Sequence, residues 1–283
     1  MVSVHSLLTT VWVKYSHVPK RHFRVLLANL LQKSSEFLIA HPELEVPSHI
    51  YEKFFKQAEK LSLGVPLSRL LGKREFWGRE FKLSEATLDP RPDSETLIEA
   101  ILQHRQNRTE PLKILDLGTG SGCLIISLLR EYPNASGMAV DASDEALRIA
   151  SQNAQIHAVE DRLSFYLGDW FEGIQGKFDV IISNPPYISE AEYEYLDSMV
   201  KNYDPKKALL AGREGLACYE IIIPQAMSFL NERGMLVLEI GCGQRESVEK
   251  LMRQNGFDPI QMYQDLSGIE RCLIGFIREG LYR

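Results

Sequence analysis

Apolar positions fall along this chain in two rhythms. Before about residue 74 they recur mostly at helical spacing, in 23–31 and again in 51–61, with Pro42, Pro47 and Pro66 separating the segments. From residue 112 onward, short apolar runs of strand length alternate with helical stretches. The runs at 112–117, 136–140, 163–167, 178–183, 233–240, 258–263 and 272–278 predict seven strands, and 123–129, a segment opening near Asp144, and 245–255 predict helices between them. Such alternation predicts an α/β domain around a largely parallel sheet. Between the two regimes, 75–83 alternates in the period of a short β-hairpin. The expected organisation is a helical module over 1–74, a hairpin linker over 75–90 and a sheet domain over 91–283, with no internal repeat and no low-complexity segment.

The most informative chemistry follows the fourth apolar run, in Asn184-Pro185-Pro186-Tyr187. Proline lacks a backbone N–H and pushes the preceding residue into extended conformation, so the local backbone offers acceptors with few competing donors. The Asn184 side-chain oxygen and the Pro185 carbonyl can accept both hydrogens of a planar NH2 group, while Tyr187 offers a flat face to the attached π system. The alternative reading is a rigid turn after a strand.

The first apolar run ends in Asp116-Leu117-Gly118-Thr119-Gly120-Ser121-Gly122 before an apolar helix. Glycines allow the backbone to approach a ligand, and Ser121 is placed to satisfy free N–H groups at the helix start. The spacing is G-x-G-x-G, whereas the dinucleotide fingerprint is G-x-G-x-x-G, which favours S-adenosylmethionine over NAD. Asp141 ends the second strand about 20 residues later, where an acid commonly bonds ribose hydroxyls. The alternative is that Asp141 or Ser143 caps the next helix. At the end of the third strand, Asp169 can accept from an adenine amino group and Trp170 can pack on the ring; alternatively Trp170 and Phe171 are core aromatics. In open α/β sheets ligands lie beyond the carboxyl ends of the strands, where all these residues fall. Asp93 is placed to cap the helix that follows Arg91-Pro92-Asp93-Ser94-Glu95.

These motifs resemble those of the release-factor glutamine methyltransferases (PrmC/HemK). The resemblance runs from about Arg21 to the C-terminus. It includes Arg74-Glu75-Phe76-Trp77-Gly78, Arg91-Pro92-Asp93-Ser94-Glu95, Ser183-Asn184-Pro185-Pro186-Tyr187, Leu238-Glu239-Ile240-Gly241 and Asp265-Leu266-Ser267-Gly268-Ile269-Glu270-Arg271. Ser94 stands where the family usually has Thr, and Asp89 puts a charge where the family commonly has an aliphatic residue. The resemblance implies a class I methyltransferase (Rossmann-like) fold, with a seven-stranded mixed sheet and a small N-terminal helical domain that recognises the substrate. It implies methyl transfer from S-adenosyl-L-methionine, leaving S-adenosyl-L-homocysteine, to the glutamine amide of the Gly-Gly-Gln motif in class I peptide chain release factors. Asn184, Pro185 and Tyr187 would act in catalysis, and with Pro186 would bind the substrate. Gly118, Thr119, Gly120, Ser121, Gly122, Asp141, Asp169, Trp170 and Asn184 would bind the cofactor.

Composition narrows the classes further. Residues 1–80 hold 12 Lys and Arg against 7 Asp and Glu, the remainder 20 against 31, so +5 and −11 give the net −6. An acidic sheet domain weighs against stable nucleic-acid binding, and hence against the main rival, an amino methyltransferase acting on an RNA or DNA base. A non-catalytic docking module of the translation machinery is disfavoured by the intact glycine turn and tetrad. Cys123, Cys218, Cys242 and Cys272 show neither disulfide nor metal spacing and are expected to be small buried residues; no metal is expected. No apolar run reaches membrane-spanning length, Lys14 and His17 interrupt the N-terminus, and the expected location is cytoplasmic.

Overall fold

The computed structural model describes residues 2–277; Arg278, at the end of the last expected strand, lies outside the described residues. The chain divides into two compact units, Met1–Lys73 and Arg74–Arg283.

The smaller unit is helical. Val4–Lys14, Lys20–Leu31, Ser35–Ala40, Ser48–Ser62 and Leu67–Leu71 surround a core that includes Val11, Phe23, Leu26, Leu27 and Phe54, all shielded from solvent. Pro47 and Pro66 stand immediately before the helices Ser48–Ser62 and Leu67–Leu71, where a missing N–H costs nothing. Two short strands, Val2–Ser3 and Glu45–Val46, pair antiparallel and tie the start of the chain down.

The larger unit is built on one seven-stranded sheet. Its strands are β1 (Lys113–Leu117), β2 (Ser136–Asp141), β3 (Leu163–Leu167), β4 (Phe178–Ser183), β5 (Leu230–Glu239), β6 (Phe257–Gln264) and β7 (Glu270–Ile277). The spatial order is β3-β2-β1-β4-β5-β7-β6, with β7 antiparallel to both its neighbours and the remaining pairs parallel. The reversal between β1-β2-β3 and β4-β5 puts a crevice beyond the carboxyl ends of β1 and β4, where ligands bind in such sheets.

The central strands read as near-continuous apolar runs because both faces are covered. Ile114, Val180, Ile182, Met235, Val237 and Ile274 face one core, against α1 (Glu95–His104) and α2 (Cys123–Glu131). Leu115, Leu117, Ile181, Leu236, Leu238 and Leu273 face the other, against α4 (Ala217–Ala226) and α5 (Arg245–Gln254), while α3 (Asp144–Ile156) lies against β2 and β3. Each strand's successive residues go to opposite faces, as a period of two requires.

The hairpin Lys73–Phe76 with Arg79–Lys82 turns through Trp77 and Gly78, both at positive φ, a geometry suited to the twist of a two-residue hairpin. From Arg74 on it belongs to the larger unit, because Phe76 and Phe81 are buried in the first core. Asn153 of α3, fully buried, accepts from Lys82 N at 2.8 Å and donates to Lys82 O at 3.1 Å and Ser121 O at 2.8 Å. One side chain thereby links hairpin, helix and glycine turn. Asp89 is likewise buried in this unit, its N–H donating to Asp204 Oδ1 at 3.2 Å.

Candidate active site

The glycine turn leaves β1 and enters α2 with Gly118, Gly120 and Gly122 all at positive φ. Their uses differ. A Cβ on Gly122 would meet Ile126 Cδ1 at 2.8 Å and Ala150 Cβ at 3.2 Å, so Gly122 lets α2 pack closely against α3. A Cβ on Gly120 would meet nothing within 4 Å, because this glycine borders open space. The helix cap is Gly122, with no side-chain cap bond; Ser121 does not cap, since a left-handed residue intervenes between it and the first helical turn. The open space is a cavity of about 540 Å³. Gly118, Thr119, Gly120, Ser121, Asp141, Asp169, Trp170, Asn184 and Pro186 line it, so the ends of β1, β2, β3 and β4 meet there.

Three expected residues stand back from this wall. Gly122 serves packing, Pro185 is buried and Tyr187 is half-buried behind the cavity. The Tyr187 carbonyl accepts from Gln244 Nε2 at 2.9 Å, and its hydroxyl donates to Glu239 Oε1 at 3.3 Å. Phe171 is a core aromatic, stacked on Phe229, whereas Trp170 faces the cavity.

Asp141 is tied to the turn. Its Oδ2 accepts from Gly120 N at 2.8 Å and its Oδ1 from Ser143 N at 2.9 Å. Ser143 itself caps α3, accepting from Ala146 N. Burial raises the Asp141 pKa against the pull of these backbone donors. Asp116, under the turn, is wholly buried and accepts from Thr119 Oγ1 at 2.7 Å; burial pushes its pKa up to about 7.

Asn184 is fixed from a distant segment. Its Nδ2 donates to Ser94 Oγ at 3.1 Å, which leaves the side-chain oxygen as the amide's acceptor atom. Ser94 closes a 3-10 turn, Pro92–Ser94, that leads into α1. Asp93 therefore does not cap the helix: it lies inside that turn, and its Oδ2 is 3.5 Å from Arg271 Nη2. Arg91, on the cavity wall, pairs with Asp204 at 2.5 Å.

Behind Asn184, Glu239 at the end of β5 is 1% exposed, and burial raises its pKa to about 7 despite the Ser94 hydroxyl, Arg271 and the Tyr187 hydroxyl. Ser94, Glu239 and Arg271 sit within segments that carry the family resemblance, but no spacing assigned them a role, since Glu239 ends an ordinary apolar strand and only the sheet order brings it beneath the tetrad. Cys242 is exposed rather than buried because it lies in the loop after β5; Cys272 is buried and the other two are intermediate. Among the described residues no cluster of His, Cys, Asp and Glu could hold a metal, and no helix is long and apolar enough to cross a membrane.

The sheet order with its reversed β7, and the glycine turn facing the Asn-Pro-Pro-Tyr segment across one cavity, define a class I methyltransferase. Residues 83–209 match the family model described as Methyltransferase small domain, and 14–72 match the PrmC N-terminal domain. A release factor glutamine methyltransferase of Rhodospirillum rubrum is 38% identical over 256 residues, covering 90% of this chain and 78% of the relative. One from Agrobacterium fabrum is 38% identical over 253 residues, covering 88% of each. The chain belongs to the release factor glutamine methyltransferase family. A methyltransferase from Pyrococcus furiosus shares the fold, with a TM-score of 0.52 at 18% identity over 71% of this chain and 90% of that one.

Proposed function

We propose that this protein transfers a methyl group from S-adenosylmethionine to the side-chain amide nitrogen of the glutamine in the Gly-Gly-Gln motif of class I peptide chain release factors. The observation that carries this reading is the orientation of Asn184. With its NH2 committed to Ser94, it presents an oxygen, the group needed to receive a hydrogen from a substrate NH2. Family membership supports a glutamine amide as the owner of that NH2.

The cavity suits the methyl donor. Gly120 provides a cradle that a Cβ would fill, Asp141 stands at the turn with lone pairs left on both oxygens for ribose hydroxyls, and Asp169 and Trp170 supply an acceptor and an aromatic face for adenine. When bound, S-adenosylmethionine supplies an electrophilic methyl group.

An amide nitrogen is a poor nucleophile because its lone pair is delocalised into the carbonyl. Asn184 compensates by holding the NH2 group in one orientation and by stabilising positive charge as it develops on nitrogen. In the transfer the substrate nitrogen lone pair would form the new N–C bond as the S–C bond breaks, the S–C bonding pair staying on sulfur. The amide nitrogen, acidified by methylation, then loses one proton to solvent. Pro185 and Pro186 keep backbone donors away from the acceptors. The unit Met1–Lys73 supplies protein surface for recognition of the release factor, since one glutamine loop offers less contact than a specific protein complex needs.

Incubation with labelled S-adenosylmethionine and a Gly-Gly-Gln loop peptide tests the reading. Label should enter the glutamine peptide and not one carrying Gly-Gly-Glu, which has no NH2 to hold. Equal labelling of both, or of neither, contradicts it.

A further inference from the structure

The tetrad rests on a buried carboxyl that the transfer chemistry does not use. Glu239 is 1% exposed at the end of β5, and its Oε1 accepts from the Tyr187 hydroxyl at 3.3 Å. Its second oxygen, Oε2, is buried without a hydrogen-bond partner. Ser94, 3% exposed, receives the Asn184 Nδ2 hydrogen on its Oγ, so its own hydrogen must turn elsewhere. The unpartnered Oε2 of Glu239 is the acceptor open to that hydrogen, and the Ser94 hydroxyl favours the ionised carboxyl. Burying a carboxylate is costly, and an apolar residue of similar size would be cheaper in an otherwise apolar strand, so the group's presence calls for a reason beyond packing.

We propose that Glu239 is a positioning residue for the Asn-Pro-Pro-Tyr segment, its carboxyl holding the Tyr187 hydroxyl directly and the Asn184 amide through the hydroxyl of Ser94. The inference rests on the reading of Asn184 as the acceptor for a substrate NH2. An ionised Glu239 can only accept, which sets the direction of the whole chain: Ser94 donates to Glu239, Asn184 Nδ2 donates to Ser94, and the Asn184 oxygen is left for substrate. A protonated Glu239 can donate to Ser94 instead. The Ser94 hydrogen is then released toward Asn184, and the amide is free to turn its NH2 to the cavity, the wrong group for binding another NH2.

The groups facing Glu239 come from every neighbouring element. Asp93 lies in the turn before α1, Cys123 at the start of α2, Tyr187 after β4, Tyr219 on α4, and Arg271 and Cys272 on β7. Arg271 is the cation among them, and it is shared with Asp265, whose Oδ2 lies 3.2 Å from its Nη2, and with Asp93. Burial raises the tyrosines and cysteines further above neutrality, so Glu239 is the member of this set that changes charge near pH 7, where its own pKa lies.

The test uses the full chain. In the protein without ligand, the Asn184 side-chain NH2 signals in ¹⁵N NMR should shift with a midpoint near pH 7, and Glu239→Gln should abolish that shift. In turnover, kcat should rise with pH through the same midpoint. Glu239→Gln should lower kcat about tenfold, flatten that rise and leave KM for the methyl donor within about twofold. Glu239→Asp should recover part of the loss. Ser94→Ala should reproduce the NMR effect, and the double variant should be little worse than the poorer single one; this arm carries the test if Glu239→Gln does not fold. An Asn184 titration that persists in both variants, or an unchanged kcat and pH profile in folded Glu239→Gln, overturns the proposal. Failure of wild-type protein to methylate any glutamine substrate would instead strike the proposed function, while the NMR titration would still report on the link between Glu239 and Asn184.

Discussion

Asn184 Nδ2 donates to Ser94 Oγ at 3.1 Å, joining segments 90 positions apart in the chain. The bond turns a generic strand-end asparagine into an oriented acceptor. Asn184→Ala should therefore lower kcat by about 10²–10³, the scale of removing one preorganised polar group from a transition-state site. Folding should survive, because the two prolines still fix the backbone. Asn184→Asp keeps an acceptor oxygen and should retain part of the activity that alanine loses. Steady-state kinetics on both variants, with circular dichroism to confirm folding, checks the ordering.

Asp141 holds the glycine turn through Gly120 N and Ser143 N and also borders the cavity. Asp141→Ala should weaken S-adenosylmethionine binding by about 1.5–3 kcal/mol, through loss of charge-assisted bonds. Gly120→Val should abolish binding while the sheet remains folded, since the branched side chain enters the open space and strains a backbone at φ 56°. Calorimetric titration of both variants decides. Wild-type affinity in Asp141→Ala would restrict that carboxylate to holding the turn and capping segment together.

Asn153 bonds three backbone groups, two on the hairpin strand and one in the glycine turn, while fully buried. Asn153→Ala leaves Lys82 N and Ser121 O without those partners and should destabilise the larger unit by about 2–3 kcal/mol. Urea unfolding should show the loss as a lower midpoint with an unchanged slope.

The buried Asp116 and Glu239 both have folded pKa values raised to about 7 by burial. The folded state then binds more protons than the unfolded state between the ordinary carboxylate range near pH 4 and pH 7. Their contribution to stability is fully present below that range and is lost as pH rises through about 7. Thermal melts of Asp116→Asn should fall less steeply between pH 5 and pH 8 than those of the wild type. An identical pH slope would mean that Asp116 does not titrate there. For Glu239 the same linkage sets stability against function, because the ionised form that orients Ser94 and Asn184 is the form that burial disfavours.

The sheet was legible because β1, β4 and β5 are apolar runs whose pattern follows from burial on both faces, and the strand ends carried their own motifs. A helical module was expected over 1–74, but no helical spacing marked the helix Val4–Lys14 within it. Its Thr9-Thr10-Val11-Trp12-Val13 stretch is β-branched and aromatic, a poor helix former, and only the burial of Val4, Leu7, Leu8 and Val11 on one side explains its state. Within the site, Gly120, Asp141 and Asn184 announced themselves by spacing. Asp93 misled because a 3-10 turn over Pro92–Ser94 moved the helix start beyond it. Glu239 and Arg271 could not be found by spacing at all: Arg271 reaches the Ile240 backbone and Asp93 only because β7 is inserted antiparallel beside β5.

The most direct measurement is the identity of the atom that receives the methyl group. Purified protein with labelled S-adenosylmethionine should be offered an intact class I release factor beside tRNA, rRNA and DNA, and the product mapped by mass spectrometry. One added methyl group is expected, on the glutamine of the Gly-Gly-Gln motif, lost when that glutamine is replaced by glutamate and formed about 10²–10³-fold more slowly with Asn184→Ala. Label in the nucleic acids, on another residue of the release factor, or at an undiminished rate with the Asn184 variant would contradict it.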